Sequence, residues 1–369
     1  MYKTRIWAIP LVAALAVIGA ACSSDDNTTA TTNSGATGSS SSSIAGLSID
    51  YSKLSGTLNG SGSSFQDAFD QKAKAQFAKV ASGVTVNYTK SGSAAGKTDL
   101  ANQVVQFAGT DSVIKDADKP TFKGGDVLYI PTAGGPITVS YNLSGVAKLQ
   151  LSADVLAGIM QGDITTWSDP KIAADNAGTT LPSTAIAVVH RTDGSGTTSN
   201  FTKFLKVASP SVWKLDSGDT VNWPASTQGA EKNSGVAALI KTTDGAIGYV
   251  DLADAVNADL KFASIKNKAG KFVEPTLDAA SAALDGATVN ADLTYDPINA
   301  TGDTAYPITS PTWIIVYKKQ SDAAVAAALK GWLNFILTDG QGFATSVGYA
   351  ALPSGLAEKA IAQLSQITT

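Results

Sequence analysis

From about Ile44 onward, short apolar stretches of strand length alternate with amphipathic stretches of helical spacing. This pattern restricts the fold more than any other feature of the chain. Val84–Tyr88, Val127–Ile130, Ile137–Asn142, Ile186–His190, Ala246–Val250 and Trp313–Tyr317 read as strands. Phe65, Phe69, Ala73, Phe77 and Val80 share one helical face; so do Leu100, Val104 and Phe107, and Phe201, Phe204 and Leu205. Such alternation implies an α/β fold with a mainly parallel sheet and helices on both faces. A length of 369 residues, 44% of them hydrophobic, suffices for roughly two domains. Residues 263–306 are polar and poorly periodic and are expected to decorate one domain.

The N-terminus has a different character. Lys3 and Arg5 precede an apolar run, Trp7 to Ala21, too short to serve comfortably as a permanent span. Gly19, Ala20 and Ala21 then lead to Cys22, as at a bacterial lipoprotein cleavage site, although Gly19 stands where such sites usually carry Leu. Residues 1–21 are therefore expected to be a signal peptide and Cys22 a lipidated residue. Ser23–Ser43 contains only Ser, Thr, Asn, Asp, Gly and Ala, too polar to order itself, and reads as a disordered tether. As a flexible coil it spans roughly 25 Å. Cleavage before Cys22 leaves 25 basic and 31 acidic side chains, a net charge of about −6.

Several classes of function are excluded by what is scarce. The near balance of 27 basic and 31 acidic residues provides no footprint for nucleic acid. One cysteine rules out a disulfide framework or a cysteine-rich metal site. One histidine, His190, rules out most histidine-dependent metal chemistry, so neither metal nor cofactor is expected. Few residue pairs could act as base and nucleophile, which points away from an enzyme.

Three segments share one design, a Gly/Ser/Thr-rich loop running into an amphipathic helix. They are Gly60–Phe65 (GSGSSF), Ser91–Gly96 (SGSAAG) and Asp193–Thr197 (DGSGT). A helix start leaves four backbone N–H groups unpaired and carries partial positive charge, so it attracts anions. One such loop is usually only a cap. Three in one α/β chain, each expected at the carboxyl end of a strand, suggest a common ligand. Arg191 follows the apolar run Ile186–Val189 and offers a planar fork for two oxygens of a tetrahedral anion, with Asp193 placed to pin it. Asp111 closes the segment Val105–Asp111 at another expected strand end. A carboxylate beside an anion is unfavourable unless that anion still carries a proton. Phosphate does at neutral pH; sulfate does not.

On these runs, together with Phe107–Asp111, Ala187–Thr197, Gly245–Val250 and Pro307–Ser310, the chain resembles the phosphate-binding receptor of the bacterial ABC-type phosphate importer. The resemblance extends from about Leu58 to Leu352. It implies a two-lobed periplasmic-binding-protein fold of type II kind, with a ligand cleft between lobes joined by crossing segments near Thr132–Ser140 and Tyr306–Thr312. Lobe I would comprise 44–135 and 308–369, and lobe II 136–307. Donors to phosphate are implied at Ser64, Phe65, Ser93, Arg191, Ser195, Gly196 and Thr197, with Asp111 as acceptor and Asp193 as partner of Arg191. Ser64 stands where the family often has Thr, which keeps the hydroxyl. Gln66 replaces a common Pro, which should alter the helix start but not the donor set. The expected function is phosphate binding and delivery by lobe closure to membrane permease subunits, by a monomer anchored through Cys22 at the outer face of the membrane, or periplasmic if Cys22 is not lipidated.

Three other readings remain at this stage. Ser91–Thr98 misses the P-loop pattern by its first glycine. An exported phosphatase or serine hydrolase would use His190, Asp193 and Ser195, yet His190 should face away from Arg191 on the same strand. The same scaffold could bind another oxyanion, such as phosphonate or sulfate. Trp167, Trp213, Trp223 and Trp313 read as core or lobe-surface residues rather than ligand contacts. Mass spectrometry of the processed N-terminus should find a mature chain that begins at a lipid-modified Cys22; an unmodified cysteine would remove the anchor.

Overall fold

The computed structural model describes residues 44–369; the expected signal peptide, Cys22 and the expected tether lie outside the described residues. The first part is a βαβαβ run: β1 (Gly56–Gly62), α1 (Asp67–Val80), β2 (Val84–Thr89), α2 (Ser93–Ala101) and β3 (Phe107–Thr110). A 16-residue strand, β4 (Val127–Asn142), follows. Next come β5 (Gln150–Leu151), α3 (Ala153–Met160), α4 (Pro170–Asp175), β6 (Ala187–Arg191), α5 (Gly196–Ala208), β7 (Gln228–Ala230), α6 (Lys232–Thr242), β8 (Ala246–Asp251) and α7 (Leu252–Asn257). Then come β9 (Lys261–Phe262), β10 (Ser264–Lys266), β11 (Phe272–Val273) and α8 (Leu277–Asp285). The chain finishes with β12 (Thr309–Tyr317), α9 (Ala323–Leu337) and α10 (Ser354–Gln363). No helix among the described residues is long and apolar enough to cross a membrane.

One sheet runs in the order β2-β1-β3-β12-β4-β8-β6-β7, with β9 also paired to β4. Its flanks are parallel, as β1 pairs with β2 and β3, and β6 with β7 and β8. Its middle is antiparallel, because β4 and β12 pair with each other and with β8 and β3 respectively. The expected mainly parallel sheet is thus a mixed one. Residues 127–130 and 137–142, expected as separate strands, belong to the single strand β4. Its first part pairs with β12 and its second with β8. Pro131, Gly134, Gly135 and Pro136 suggest a break in the sequence, but the chain stays extended there and is buried almost throughout.

The helical face expected through Val104 and Phe107 is shorter than its spacing suggests. Helix α2 ends at Ala101, Gln103 takes a left-handed φ of 60°, Val104 is exposed, and Phe107 enters β3. Residues 263–306, expected as decoration, hold β10, β11 and α8; β10 joins β5 and β11 in a second, three-stranded sheet. Two apolar cores hold the layers together. The larger includes Phe69, Phe77, Trp313 and Trp332; the smaller gathers Val189, Val236, Ile240 and Val250 under α6.

β1 reaches the middle of the molecule at Gly62, whose φ of +137° is open only to glycine. A Cβ there would lie 2.1 Å from the carbonyl oxygen of Gly109 on the neighbouring strand. Gly62→Ala should therefore destabilise the fold by roughly 2–4 kcal/mol from combined backbone strain and overpacking, read as a lower denaturation midpoint with unchanged slope.

Candidate functional site

The carboxyl ends of β1, β3 and β6 bring together the residues after them, and at their meeting point lies Asp111, 2% exposed. Ser63 Oγ stands 2.7 and 2.6 Å from its two oxygens and donates to the carboxylate. Thr312 Oγ1, from β12, is 2.7 Å from Oδ1, and Ser93 Oγ, at the start of α2, is 3.4 Å from Oδ2. Gly196, the first residue of α5, abuts the same group: a Cβ there would sit 2.8 Å from Asp111 Oδ2 and 2.6 Å from Ser93 Oγ. Asn200, one turn into α5, donates to the Asp111 carbonyl at 2.6 Å and to Ser310 Oγ at 2.9 Å. Burial pushes the Asp111 carboxyl up to about 6, against the pull of the Ser63 and Thr312 hydroxyls and the Arg191 charge. It is therefore mostly ionised at neutral pH.

A second group lies beside the first. Asn233, fully buried in α6, directs its backbone N–H and Nδ2 at Ser64 Oγ, both at 3.2 Å, and Nδ2 at Thr197 Oγ1 at 3.1 Å. Its Oδ1 accepts from the Asp251 N–H at 3.3 Å, which fixes the amide orientation. An amide N–H can only donate, so both hydroxyls accept from Asn233 and keep their own protons for another acceptor.

The third group is Arg191, whose side chain is 1% exposed. Its Nε donates to Asp193 Oδ1 at 2.6 Å and Nη2 pairs with Asp193 Oδ2, while Nη1 is buried without a partner among the described residues. Burial raises the Asp193 carboxyl, but the guanidinium fork and the Lys232 N–H outweigh it and hold Asp193 below its ordinary value. Asp193 thus aims the fork and offsets part of its charge. The two sides of the site meet directly through the Ala94 N–H to the Gly194 carbonyl (3.1 Å) and Lys97 Nζ to Asp219 Oδ2 (2.8 Å).

The donors differ in availability. Gly196 and Thr197 open α5, so their N–H groups have no intrahelical partner. Ser195 caps that helix through Oγ, which accepts from the Thr198 N–H at 3.2 Å; its own N–H goes to the Asp219 carbonyl at 2.8 Å, leaving its hydroxyl proton. The Phe65 N–H, expected to face a ligand, meets Ser63 Oγ at 3.0 Å. Helix α1 starts at Asp67, with Gln66 at its cap position and no side-chain cap bond. His190 stacks on Trp223 with centroids 5.1 Å apart, and its Nδ1 meets the Arg191 carbonyl at 3.0 Å. No hydrogen bond joins it to Ser195 or Asp193 among the described residues. Trp167, Trp213 and Trp313 are buried in the core.

Hydroxyl and amide donors, one guanidinium and one ionised acceptor, all withdrawn from water, are suited to a small oxyanion that carries a proton. A family model of the PBP superfamily domain matches residues 24–340. Phosphate-binding protein PstS 2 of Mycobacterium tuberculosis is 33% identical over 323 residues, covering 84% of this chain and 87% of that protein. Phosphate-binding protein PstS of Pasteurella multocida is 34% identical over 313 residues, covering 83% and 89%. This chain belongs to the PstS family. Among solved structures, a high-affinity periplasmic phosphate-binding protein bound with phosphate overlays with a TM-score of 0.70 at 22% identity, covering 84% of this chain and 94% of that one. A phosphate-binding protein from Stenotrophomonas maltophilia gives 0.65 at 20%, covering 83% and 93%. Both likenesses show the two-lobed periplasmic-binding-protein fold.

Against the PstS resemblance, the structure adds Ser63, Asn233 and Thr312 to the expected residues. Ser63 sits inside the first Gly/Ser loop and could have been included on composition. Asn233 follows no glycine-rich loop, and Thr312 lies inside a strand, so neither carries a local signal. Between the ordinary carboxyl value of 3.8 and about 6, the folded chain holds more proton at Asp111 than the unfolded chain, so this group lowers stability as pH rises through that window. Denaturation of ligand-free protein from pH 4 to pH 7 should show wild type losing ~2 kcal/mol more than Asp111→Asn. Asp251 and Asp254, also raised by burial, cancel in that comparison.

Proposed function

We propose that this chain captures inorganic phosphate outside the cytoplasm and delivers it to an ABC-type phosphate importer. The observation that carries the reading is Asp111: a buried, ionised acceptor ringed by donors. Phosphate would satisfy both kinds of group at once. Its oxygens would take the hydroxyls of Ser64, Ser93, Ser195 and Thr197, the N–H groups of Ser93, Gly196 and Thr197, and Arg191 Nη1. Its remaining proton would go to Asp111. Phe65 would contribute its N–H only by releasing Ser63 Oγ.

Residues 44–135 with 308–369 would form one lobe and 136–307 the other, with β4 and β12 crossing between them. Closure would bring Asn200, Asn233 and Asp219 onto the first lobe, and the Lys97–Asp219 pair would favour the shut form. The closed monomer would then be recognised by membrane permease subunits, and a lipid on Cys22 would keep it near them. No catalytic role is proposed, since His190 is occupied by Trp223 and the Arg191 carbonyl; sustained hydrolysis of a phosphoester by pure protein would overturn that.

Sulfate has the same shape but would set lone pairs against the Asp111 carboxylate. Isothermal titration near pH 7.5 should give a preference for phosphate over sulfate on the order of 10⁴, by the penalty a site imposes on an analogue lacking the proton it expects. Asp111→Asn should narrow the gap to below about 10². Equal wild-type affinities for the two ions would overturn the reading.

A further inference from the structure

Thr312 has one hydroxyl proton and two close acceptors. Its Oγ1 lies 2.7 Å from Asp111 Oδ1 and 2.6 Å from Gln66 Oε1. With Asp111 ionised and the Gln66 oxygen facing Thr312, one of these contacts opposes lone pair to lone pair. On its other side, Gln66 Nε2 is 2.9 Å from Asp70 Oδ2 and 3.4 Å from Tyr88 Oη. Asp70 is 1% exposed, and its Oδ1 is buried with no partner among the described residues. An ionised carboxylate with a bare buried oxygen is expensive, whereas a protonated one is not. The oxygen and nitrogen of a glutamine amide are told apart only by the bonds they make.

We infer that Asp70 holds a proton and that the Gln66 amide is turned, so that a relay Asp70–Gln66–Thr312 directs the Thr312 proton to Asp111 and keeps that carboxylate ready to accept the proton of an acid phosphate. Asp70 Oδ2–H donates to Gln66 Oε1, Gln66 Nε2 donates to Thr312 Oγ1, and Thr312 donates to Asp111 Oδ1. Each short contact then pairs a donor with an acceptor. The one loss is the long contact to Tyr88, whose own proton goes to the Ser63 carbonyl at 2.8 Å. The opposite wiring runs from a protonated Asp111 through Thr312 and Gln66 to an ionised Asp70. It leaves Asp70 charged with its bare oxygen and removes the acceptor from the site.

The surroundings favour the first wiring. Asp70 is faced by Asp67 and Lys74 from α1, by Tyr88 from β2 and by Asp111, and burial pushes it well above the ordinary carboxyl range. Asp111 is faced by Arg191 from β6 and by Asp219, and burial takes it only to about 6. Room for the relay depends on Gly109: a Cβ there would lie 2.1 Å from Gln66 Nε2 and 2.2 Å from Tyr88 Oη. Gln66 and Asp70 are thus positioning residues that act on the ligand through Asp111. This rests on the phosphate reading.

Neutron diffraction from perdeuterated ligand-free protein at pH 7 reads the wiring directly. The expected map has a deuteron on Asp70 Oδ2 and the Gln66 ND₂ toward Thr312; a bare Asp70 with a deuteron on Asp111 would overturn the relay. Carboxyl ¹³C titration and phosphate/sulfate titration of variants read its consequence. Asp70→Ala frees the Gln66 amide to turn its oxygen to Thr312 and compete for that proton. It should move the Asp111 midpoint up by about one pH unit and cut the preference for phosphate about tenfold, the effect of losing one hydrogen bond to a charged group. Gln66→Leu, which removes the competing acceptor, should leave both near wild type. Asp70→Asn, whose amide can still donate to Gln66 Oε1, should restore both. An unchanged Asp111 midpoint in Asp70→Ala would reject the relay. Failure of wild type to bind phosphate would instead reject the functional reading and leave the deuteron positions to be judged separately.

Discussion

A carboxylate taken out of water costs several kcal/mol unless its lone pairs are matched, and Asp111 imposes that condition on the whole site. Its partners come from widely separated parts of the chain: Ser63 after β1, Ser93 at α2, Thr312 on β12 and Asn200 on α5 through the backbone. They can meet only because β1, β3 and β6 all present their carboxyl ends to one region, with β12 and β4 between the two parallel flanks. The sheet order serves as the scaffold that makes burial of this one group tolerable.

Attraction of an anion to such a site owes little to the chain's overall field. The sequence carries a net charge of −4, and the one guanidinium at the site is tied to Asp193. What remains is short-range: amide and hydroxyl dipoles. Asn233 shows how this is arranged, because by donating to Ser64 and Thr197 it turns two ambivalent hydroxyls into committed donors. Neutral donors also avoid the indiscriminate attraction that a basic cluster would exert on any anion. Discrimination is then left to the single acceptor.

The loops of the site were legible because backbone donors at strand–helix junctions need glycine, serine and threonine, and that leaves a compositional trace at 60–65, 91–96 and 193–197. Arg191 and Asp111 were legible by their place at strand ends. Asn233 and Thr312 were not, since each becomes functional only through contacts more than 30 residues distant in sequence. The same limit governed the fold. Alternation identified the α/β class and five of the twelve described strands, β2, β4, β6, β8 and β12, but it cannot reveal that β4 runs unbroken through Pro131, Gly134, Gly135 and Pro136. Turn-forming residues outvote extension until a neighbouring strand is present to pair with the backbone. Nor can alternation reveal that β4 and β12 lie antiparallel, because strand direction is a property of the assembled sheet.

These two strands tie the site to the proposed opening motion. If the lobes part, β4 and β12 must flex, and β12 already has a register shift between Thr312 and Trp313 opposite Ala133 and Pro131. Thr312, the residue that meets Asp111, therefore stands at the irregular point of a crossing strand. Asn200 adds a second tie, since its amide reaches both the Asp111 carbonyl and Ser310 on β12. Separation of α5 from the first lobe would break both contacts and leave the Asp111 backbone carbonyl to water. Bending at Thr312 would alter the aim of the hydroxyl that holds the carboxylate. Closure would then do more than shut out water: it would satisfy the Asp111 backbone carbonyl through Asn200 and bring Arg191 and the start of α5 to the donors that already surround the carboxylate.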